Sequence, residues 1–216
     1  MISNIIRVSI SAKGGALMSS NRRMMQMKIA CLLGSPRKNG NSSAIARRFL
    51  DTAEALGAKT ETFILNSLSY RGCQACYACK TKLERCILKD DLSHVLKAVK
   101  EADILVMATP TYFGDISGQL KCFLDRTFSY LKPDYITNSE PSRLSPGKKL
   151  LFIITQGAPD EAMFDHIFPL YDRFFKWYGY SESRLIRACG VGGDGVMDVP
   201  ERVLVAAEEA ARAFMA

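Results

Sequence analysis

Five short apolar runs alternate with longer amphipathic stretches along residues 28–214 of this 216-residue chain. The run 28–34 is strand-like in length and ends at Gly34, while 59–65 alternates with period two, as a half-exposed edge strand does. Residues 104–108 and 150–154 are continuously apolar, the character of strands covered on both faces of a parallel sheet. A weaker run at 184–189 reads as the far edge. Helical periodicity places helices near 43–56, 90–100, 115–130, 160–178 and 200–214. Strand–helix alternation with right-handed crossovers predicts an open α/β sheet of five parallel strands with helices on both faces. Two edge-like strands and three buried ones fit the order 2-1-3-4-5. Ligands in such sheets bind beyond the carboxyl ends of strands 1 and 3, where the strand order reverses.

The segments at those two ends carry the candidate chemistry. Lys28-Ile-Ala-Cys-Leu-Leu-Gly34 runs directly into Ser35-Pro-Arg-Lys-Asn-Gly-Asn-Ser-Ser43 and then into a helix whose apolar face holds Ile45, Phe49, Leu50 and Ala53. A strand turning into a helix aims unpaired N–H groups and the positive end of the helix dipole at one point, which suits a phosphate. Ser35, Arg37, Asn41, Ser42 and Ser43 add hydroxyl, amide and guanidinium donors, with Lys38 and Asn39 as weaker candidates. An ordinary turn would need only one such residue, Ser42 or Ser43, as a helix cap. The loop lacks both the Gly-x-Gly-x-x-Gly dinucleotide spacing and the Gly-Lys-Ser/Thr of an NTPase loop. After strand 3 comes Thr109-Pro-Thr-Tyr-Phe-Gly-Asp115: Pro110 is expected to stop the strand, and Thr111, Tyr112, Phe113 and Gly114 to offer apolar and aromatic surface to a flat ring. Strand 4 ends in Thr155, Gln156 and Gly157, again polar and small.

The phosphate loop, together with Thr109-Pro-x-Tyr-x-Gly-x-x-Ser-x-x-Leu-Lys-x-Phe-x-Asp-Arg126, resembles the NAD(P)H-dependent FMN reductases of the flavodoxin-like superfamily. That resemblance implies a flavodoxin-like three-layer sandwich that binds FMN. Ser35, Arg37, Asn41, Ser42 and Ser43 would then hold the phosphate, Pro110 to Gly114 the ring, and Thr155, Gln156 and Gly157 its pyrimidine side. It implies an FMN-dependent oxidoreductase taking hydride from NADH or NADPH, with the chemistry on the flavin and no catalytic acid, base or nucleophile. A homodimer or homotetramer is implied as well.

Cysteine usage adds a second theme. Four of seven cysteines form Cys73-x2-Cys76-x2-Cys79-x6-Cys86, a density that suggests a metal, an iron–sulfur cluster or a redox couple. The spacing resembles the iron–sulfur flavoproteins, relatives of the FMN reductases with a 4Fe–4S cluster beside FMN. In that case the acceptor or donor would be ferredoxin in place of a small-molecule electron acceptor. Structural zinc in a non-enzymatic module, or uncoordinated thiols, are the other readings. Cys31, Cys122 and Cys189, in apolar contexts, are expected as small core residues.

Charge and composition narrow the classes. The net charge of +7 includes Arg7, Lys13, Arg22 and Arg23 in an acid-free N-terminal stretch, read as a flexible basic extension over 1–26 ahead of a single domain over 27–216. No cluster of cations interleaved with aromatics argues for nucleic acid. No run approaches the roughly 20 apolar residues of a membrane helix. Free cysteines without a secretory signal point to the cytoplasm. Asp90 or Asp91 is expected to cap the helix after it, and His94 and His166 to have no catalytic partner. Asp125-Arg126 is expected to form an ion pair or a subunit contact. The aromatics between Phe164 and Tyr178 are expected mainly in the core, some at a dimer interface. The Gly190–Gly195 loop is expected near the flavin of a neighbouring subunit.

Overall fold

The structure, a computed structural model, describes residues 26–192 and 198–216. The N-terminal extension over 1–25 and the centre of the Gly-rich loop, 193–197, lie outside the described residues. Five parallel strands form the sheet: β1 (Lys28–Leu33), β2 (Lys59–Ile64), β3 (Ile104–Tyr112), β5 (Lys148–Thr155) and β6 (Tyr180–Ala188). Their order is β2-β1-β3-β5-β6, and a two-residue sixth strand, β4 (Asp115–Ile116), pairs antiparallel with the end of β3. The expected order therefore holds, with one strand more than expected.

Alternation along the central strands sorts the core into two layers. Ala30, Leu32, Leu105, Met107, Leu150 and Phe152 face one way and pack against α3 (Leu92–Glu101), α4 (Gly118–Arg126) and α5 (Ile167–Trp177). Ile29, Cys31, Leu33, Val106, Leu151 and Ile153 face the other way, against α1 (Asn41–Ala55) and α6 (Glu201–Met215). A period of two with both phases apolar requires cover on both faces, and the helices provide it. A one-turn helix, α2 (Ala78–Thr81), lies in the cysteine segment.

Several local expectations shift for physical reasons. Pro110 does not stop β3, which continues to Tyr112. The Ala108 carbonyl accepts from the Gly34 N–H on the β1 side. Pro110, two residues on, faces the same edge beyond the last residue of β1, where a missing N–H leaves no ladder bond unmade. The helix expected over 115–130 begins only at Gly118, because Asp115 and Ile116 return as β4; a 3-10 turn over Thr127–Tyr130 ends it. The stretch 160–178 splits into a 3-10 turn (Glu161–Phe164) and α5. On α5, Tyr171 and Phe175 are buried, whereas Leu170, Phe174 and Trp177 form an exposed stripe.

Neither Asp90 nor Asp91 caps α3 through its side chain. Asp91 accepts from the Ser69 N–H at 2.7 Å. Asp90 accepts from Arg126 Nη1 with both oxygens, at 2.6 and 2.5 Å, so Arg126 pairs across the fold and not with its neighbour Asp125. Arg126 is fully buried and also donates to the carbonyls of Arg71 and Leu88. It ties α4 to the cysteine segment. Cys31 is buried as expected, its thiol pushed up to about 12 by burial, but Cys122 and Cys189 are only half-buried.

Candidate functional site

The reversal of strand order between β1 and β3 leaves a cleft of about 400 Å³ at their carboxyl ends. One wall is the β1–α1 loop. Gly34 is required there by close approach: a Cβ would lie 2.8 Å from Ser117 Oγ and 3.1 Å from Leu120 Cβ. Ser117, capping α4, donates from Oγ to the Gly34 carbonyl at 2.7 Å and receives a hydrogen bond from the Leu120 N–H. The loop then curls on itself. The Arg37 N–H donates to Ser35 Oγ at 3.1 Å, and the Gly40 N–H to the Arg37 carbonyl at 3.2 Å. A Cβ on Gly40 would approach the Ser35 hydroxyl to 3.4 Å and Arg37 Cβ to 3.3 Å.

Gly40 is the N-cap of α1 and no side chain caps that helix. The helix therefore starts with N–H groups that have no partner of its own making, and its first turn carries no acidic residue. Ser35 and Ser42 are buried beside this point. Ser43 is also buried, but its hydroxyl has no partner and does not line the cleft. Asn41 lines it while spending its side chain elsewhere: Nδ2 donates to Asp198 at 2.6 Å and Oδ1 accepts from the Asp198 N–H at 3.2 Å. Lys38 and Asn39 turn away toward β2, and Asn39 accepts from Arg47 instead.

The opposite wall is the β3–β4 hairpin. Thr111 pairs with Ile116 and Tyr112 with Asp115, closing a two-residue turn at Phe113-Gly114. Both turn residues have positive φ, +50° and +86°, the backbone of a type I′ turn, which suits Gly114 and strains Phe113. Pro110, Thr111 and Tyr112 line the cleft. Phe113 does not: the turn aims its ring fully into solvent, and Gly114 sits with it at the tip. The hairpin is held from α5, where Tyr171 Oη donates to Asp115 at 2.9 and 3.1 Å and His166 Nε2 contacts the Gly114 carbonyl at 3.1 Å. Thr111 lines the cleft, while its Oγ1 is buried with no partner.

Thr155 and Gly157 supply the third side. Gln156 braces the loop instead, its amide donating to the Ala158 and Asp160 carbonyls at 3.1 and 2.8 Å. Val191 and Gly192 complete the lining, held by the Val191 N–H to Gln156 carbonyl bond and by Gly192 N–H to Asp198. Val191 and Gly192, the described residues at the start of that loop, thus reach their own chain's cleft. Gly40 went unassigned in the sequence, where a glycine at a helix cap was the readable signal, and Val191 and Gly192 were expected at a neighbouring subunit's flavin. Val191 and Gly192 are held at this cleft by the Asn41–Asp198 bridge between α1 and the segment before α6.

The four clustered cysteines line a different cavity of about 390 Å³, beside Arg126 and Phe128. Lys80 Nζ lies 3.8 Å from Cys79 Sγ and donates to the Phe128 and Leu131 carbonyls, while Arg143 Nη2 donates to the Cys79 carbonyl. The donor chemistry suits a thiophilic metal or cluster. The spacing does not: among the described residues no three Cys, His, Asp or Glu side chains converge closely enough to hold a metal ion.

Residues 27–164 match the sequence model of the NADPH-dependent FMN reductase family, more than half the chain. The chain belongs to that family. Among curated relatives of this FMN reductase family chain, an iron-sulfur flavoprotein of Methanocaldococcus jannaschii is 37% identical over 101 residues, 47% of this chain and 52% of the relative. A Bacillus subtilis protein assigned as an NAD(P)H-dependent FMN-containing oxidoreductase is 25% identical over 170 residues, 73% of this chain and 86% of that protein. The chain spans about half the length of the first iron-sulfur flavoproteins it matches. In structure it is similar to an NAD(P)H:quinone oxidoreductase from Methanothermobacter marburgensis, with TM-score 0.68 and 20% identity over 87% of this chain and 95% of the other. An FMN-dependent NADH-azoreductase from Bacillus anthracis gives the same TM-score and identity over 88% and 100%. These likenesses establish the flavodoxin-like fold of the FMN reductases. No helix among the described residues is long and apolar enough to cross a membrane.

Proposed function

We propose that the protein is an FMN-dependent oxidoreductase that accepts hydride from NADH or NADPH and passes electrons to a small-molecule acceptor. The observation carrying this reading is the cleft at the β1/β3 switch point. It sets an uncapped helix start and the Ser35–Gly40 curl against the Pro110–Tyr112 wall. Bound there, FMN would supply the hydride-accepting and electron-passing chemistry.

The chain's own residues then bind, orient and shield. Ser35, Ser42 and the first N–H groups of α1 would hold the phosphate, with Arg37 adding charge. Pro110, Thr111 and Tyr112 would flank the ring, and Thr155 and Gly157 would line its polar edge. Buried Ser35 and Thr155 exclude water from the floor, while Tyr112 remains half-exposed where a nicotinamide must approach. Ser43, Phe113, Gly114 and Gln156 act on loop shape in this reading. A homodimer or homotetramer, in the cytoplasm, fits the exposed stripe on α5 and the free thiols. The test is NADPH oxidation followed at 340 nm with a quinone acceptor, alongside FMN titration. Changing Ser35 and Arg37 together to Ala should weaken FMN binding about a hundredfold or more, since two charge-assisted bonds at about 1.5–3 kcal/mol each are lost. Unchanged FMN retention would overturn the phosphate assignment.

A second reading, an iron–sulfur flavoprotein exchanging electrons with ferredoxin, is favoured by the four thiols lining one cavity. It requires the 73–86 segment to draw its sulfurs together. Iron and acid-labile sulfide in stoichiometric amounts after anaerobic purification would establish it. Bound zinc in a colourless preparation would point to the zinc-stabilised module.

A further inference from the structure

A cavity of about 790 Å³ lies apart from the cofactor cleft. It opens at the amino end of the sheet, where β1, β3 and β5 begin, so the two sites lie at opposite ends of the strands. Seven of its lining residues are Lys or Arg and three are Asp or Glu, a formal excess of four positive charges around one recess. Four of those cations are committed to the protein: Lys148 Nζ donates to the Lys100 carbonyl at 2.9 Å, Arg143 Nη1 to the Ser129 carbonyl at 2.9 Å and Lys149 Nζ to the Phe214 carbonyl at 3.0 Å, while Lys97 pairs with Glu101 at 3.9 Å and Lys149 with Glu182 at 3.7 Å. Carbonyls satisfy their hydrogen bonds without neutralising their charge. The side chains of Lys28, Arg85 and Lys100 have no carboxylate within ion-pair distance among the described residues. Met27, Leu96, Tyr130 and Pro146 give the same space apolar walls.

We propose that this cavity binds a small organic anion: a molecule with an apolar body and a carboxylate, phosphate or sulfonate group. The volume falls in the range of small-molecule sites, which combine apolar walls with a few charged groups that fix orientation. A macromolecular partner would meet a flat charged surface; here the cations line a recess, where low-dielectric walls concentrate their field. Cys86 and Ser129 line both this cavity and the thiol cavity, so an occupant would cover one side of Cys86. The inference stands on residues separate from the FMN cleft and does not depend on that reading.

The probe is the fluorescent anion 1-anilinonaphthalene-8-sulfonate, titrated into the full-length protein saturated with FMN, with inorganic pyrophosphate as competitor. One saturable site is expected, weakened about tenfold or more by Lys28→Glu with Lys100→Glu and weakened by added salt. The milder pair Lys28→Gln with Lys100→Gln should lie between, which separates lost charge from lost fold. Iodoacetamide labelling read by mass spectrometry should show Cys86 protected by the bound probe and Cys76, which lines only the thiol cavity, unchanged. Displacement by pyrophosphate assigns the cations as the recognition element. Three results would overturn the site: equal probe affinity in the charge-reversed protein, loss of binding on Ser35→Ala, or Cys86 labelling indifferent to the probe.

Discussion

Replacing Gly34 by Ala tests whether the cofactor loop is shaped by a single crowded contact. The new Cβ would sit 2.8 Å from Ser117 Oγ, 3.1 Å from Leu120 Cβ and 3.4 Å from the Ala108 carbonyl. The Ser117 hydroxyl cannot simply rotate away, because it donates to the Gly34 carbonyl at 2.7 Å and accepts from the Leu120 N–H at 3.4 Å, wholly buried. Losing the first bond costs about 1 kcal/mol and weakening the helix cap a further ~0.5 kcal/mol. Forcing a methyl into packed surroundings adds about 1–3 kcal/mol, offset by a few tenths from the stiffer unfolded chain. The net loss is about 2–4 kcal/mol, measured as the midpoint shift in urea unfolding at constant slope. Ser117→Ala alone should lose about 1–2 kcal/mol through the same two bonds. In the double variant the Oγ clash is absent, so the two losses should fall short of additivity by at least about 1 kcal/mol. Additivity within about 0.5 kcal/mol would refute the claim that Ser117 is what excludes a side chain at position 34.

Asp90→Asn strips the partner from the fully buried Arg126 and should destabilise by about 3–5 kcal/mol, seen as a lowered melting temperature. Phe113→Asn places Asn-Gly in a type I′ turn and removes no packing, so stability should rise by about 0.5–1 kcal/mol with FMN affinity unchanged; weaker FMN binding would show that the ring contributes to the site. Burial holds the hydroxyls of Tyr130, Tyr171, Tyr178 and Tyr180 above their ordinary value, helped at Tyr171 by its bond to Asp115. The folded state then binds more protons than the unfolded one above pH ~10, so stability should fall with rising pH from there. Lys80 and Lys148, lowered mainly by burial, act in the opposite sense between their folded values and the ordinary 10.5, which delays the fall. Tyrosinate absorbance should lag until unfolding; titration of all eight tyrosines before it would contradict this burial.

The chain's own pattern determined the strands, their order and the two loops that meet at the cleft. Continuous apolar runs demand helices on both faces, and a parallel sheet of this order has one switch point. Ser35, Arg37, Ser42 and Thr111 were readable as cleft-lining because the ends of strands 1 and 3 flank the switch point. What tertiary structure decided is the aim of individual side chains. Phe113 and Tyr112 are both aromatic and adjacent, yet the positive-φ turn sends one to solvent and leaves the other at the cleft. Gln156 braces a loop because its amide meets the Ala158 and Asp160 carbonyls. Asp90 leaves α3 for Arg126, 36 residues away, because a buried guanidinium outbids a solvated helix end for a carboxylate. Val191 and Gly192 enter the cleft through Asp198 and Asn41, 157 residues apart in the chain. Local sequence carries period, propensity and donor chemistry, whereas the partner of a polar group depends on which distant segment the fold brings within three ångströms of it.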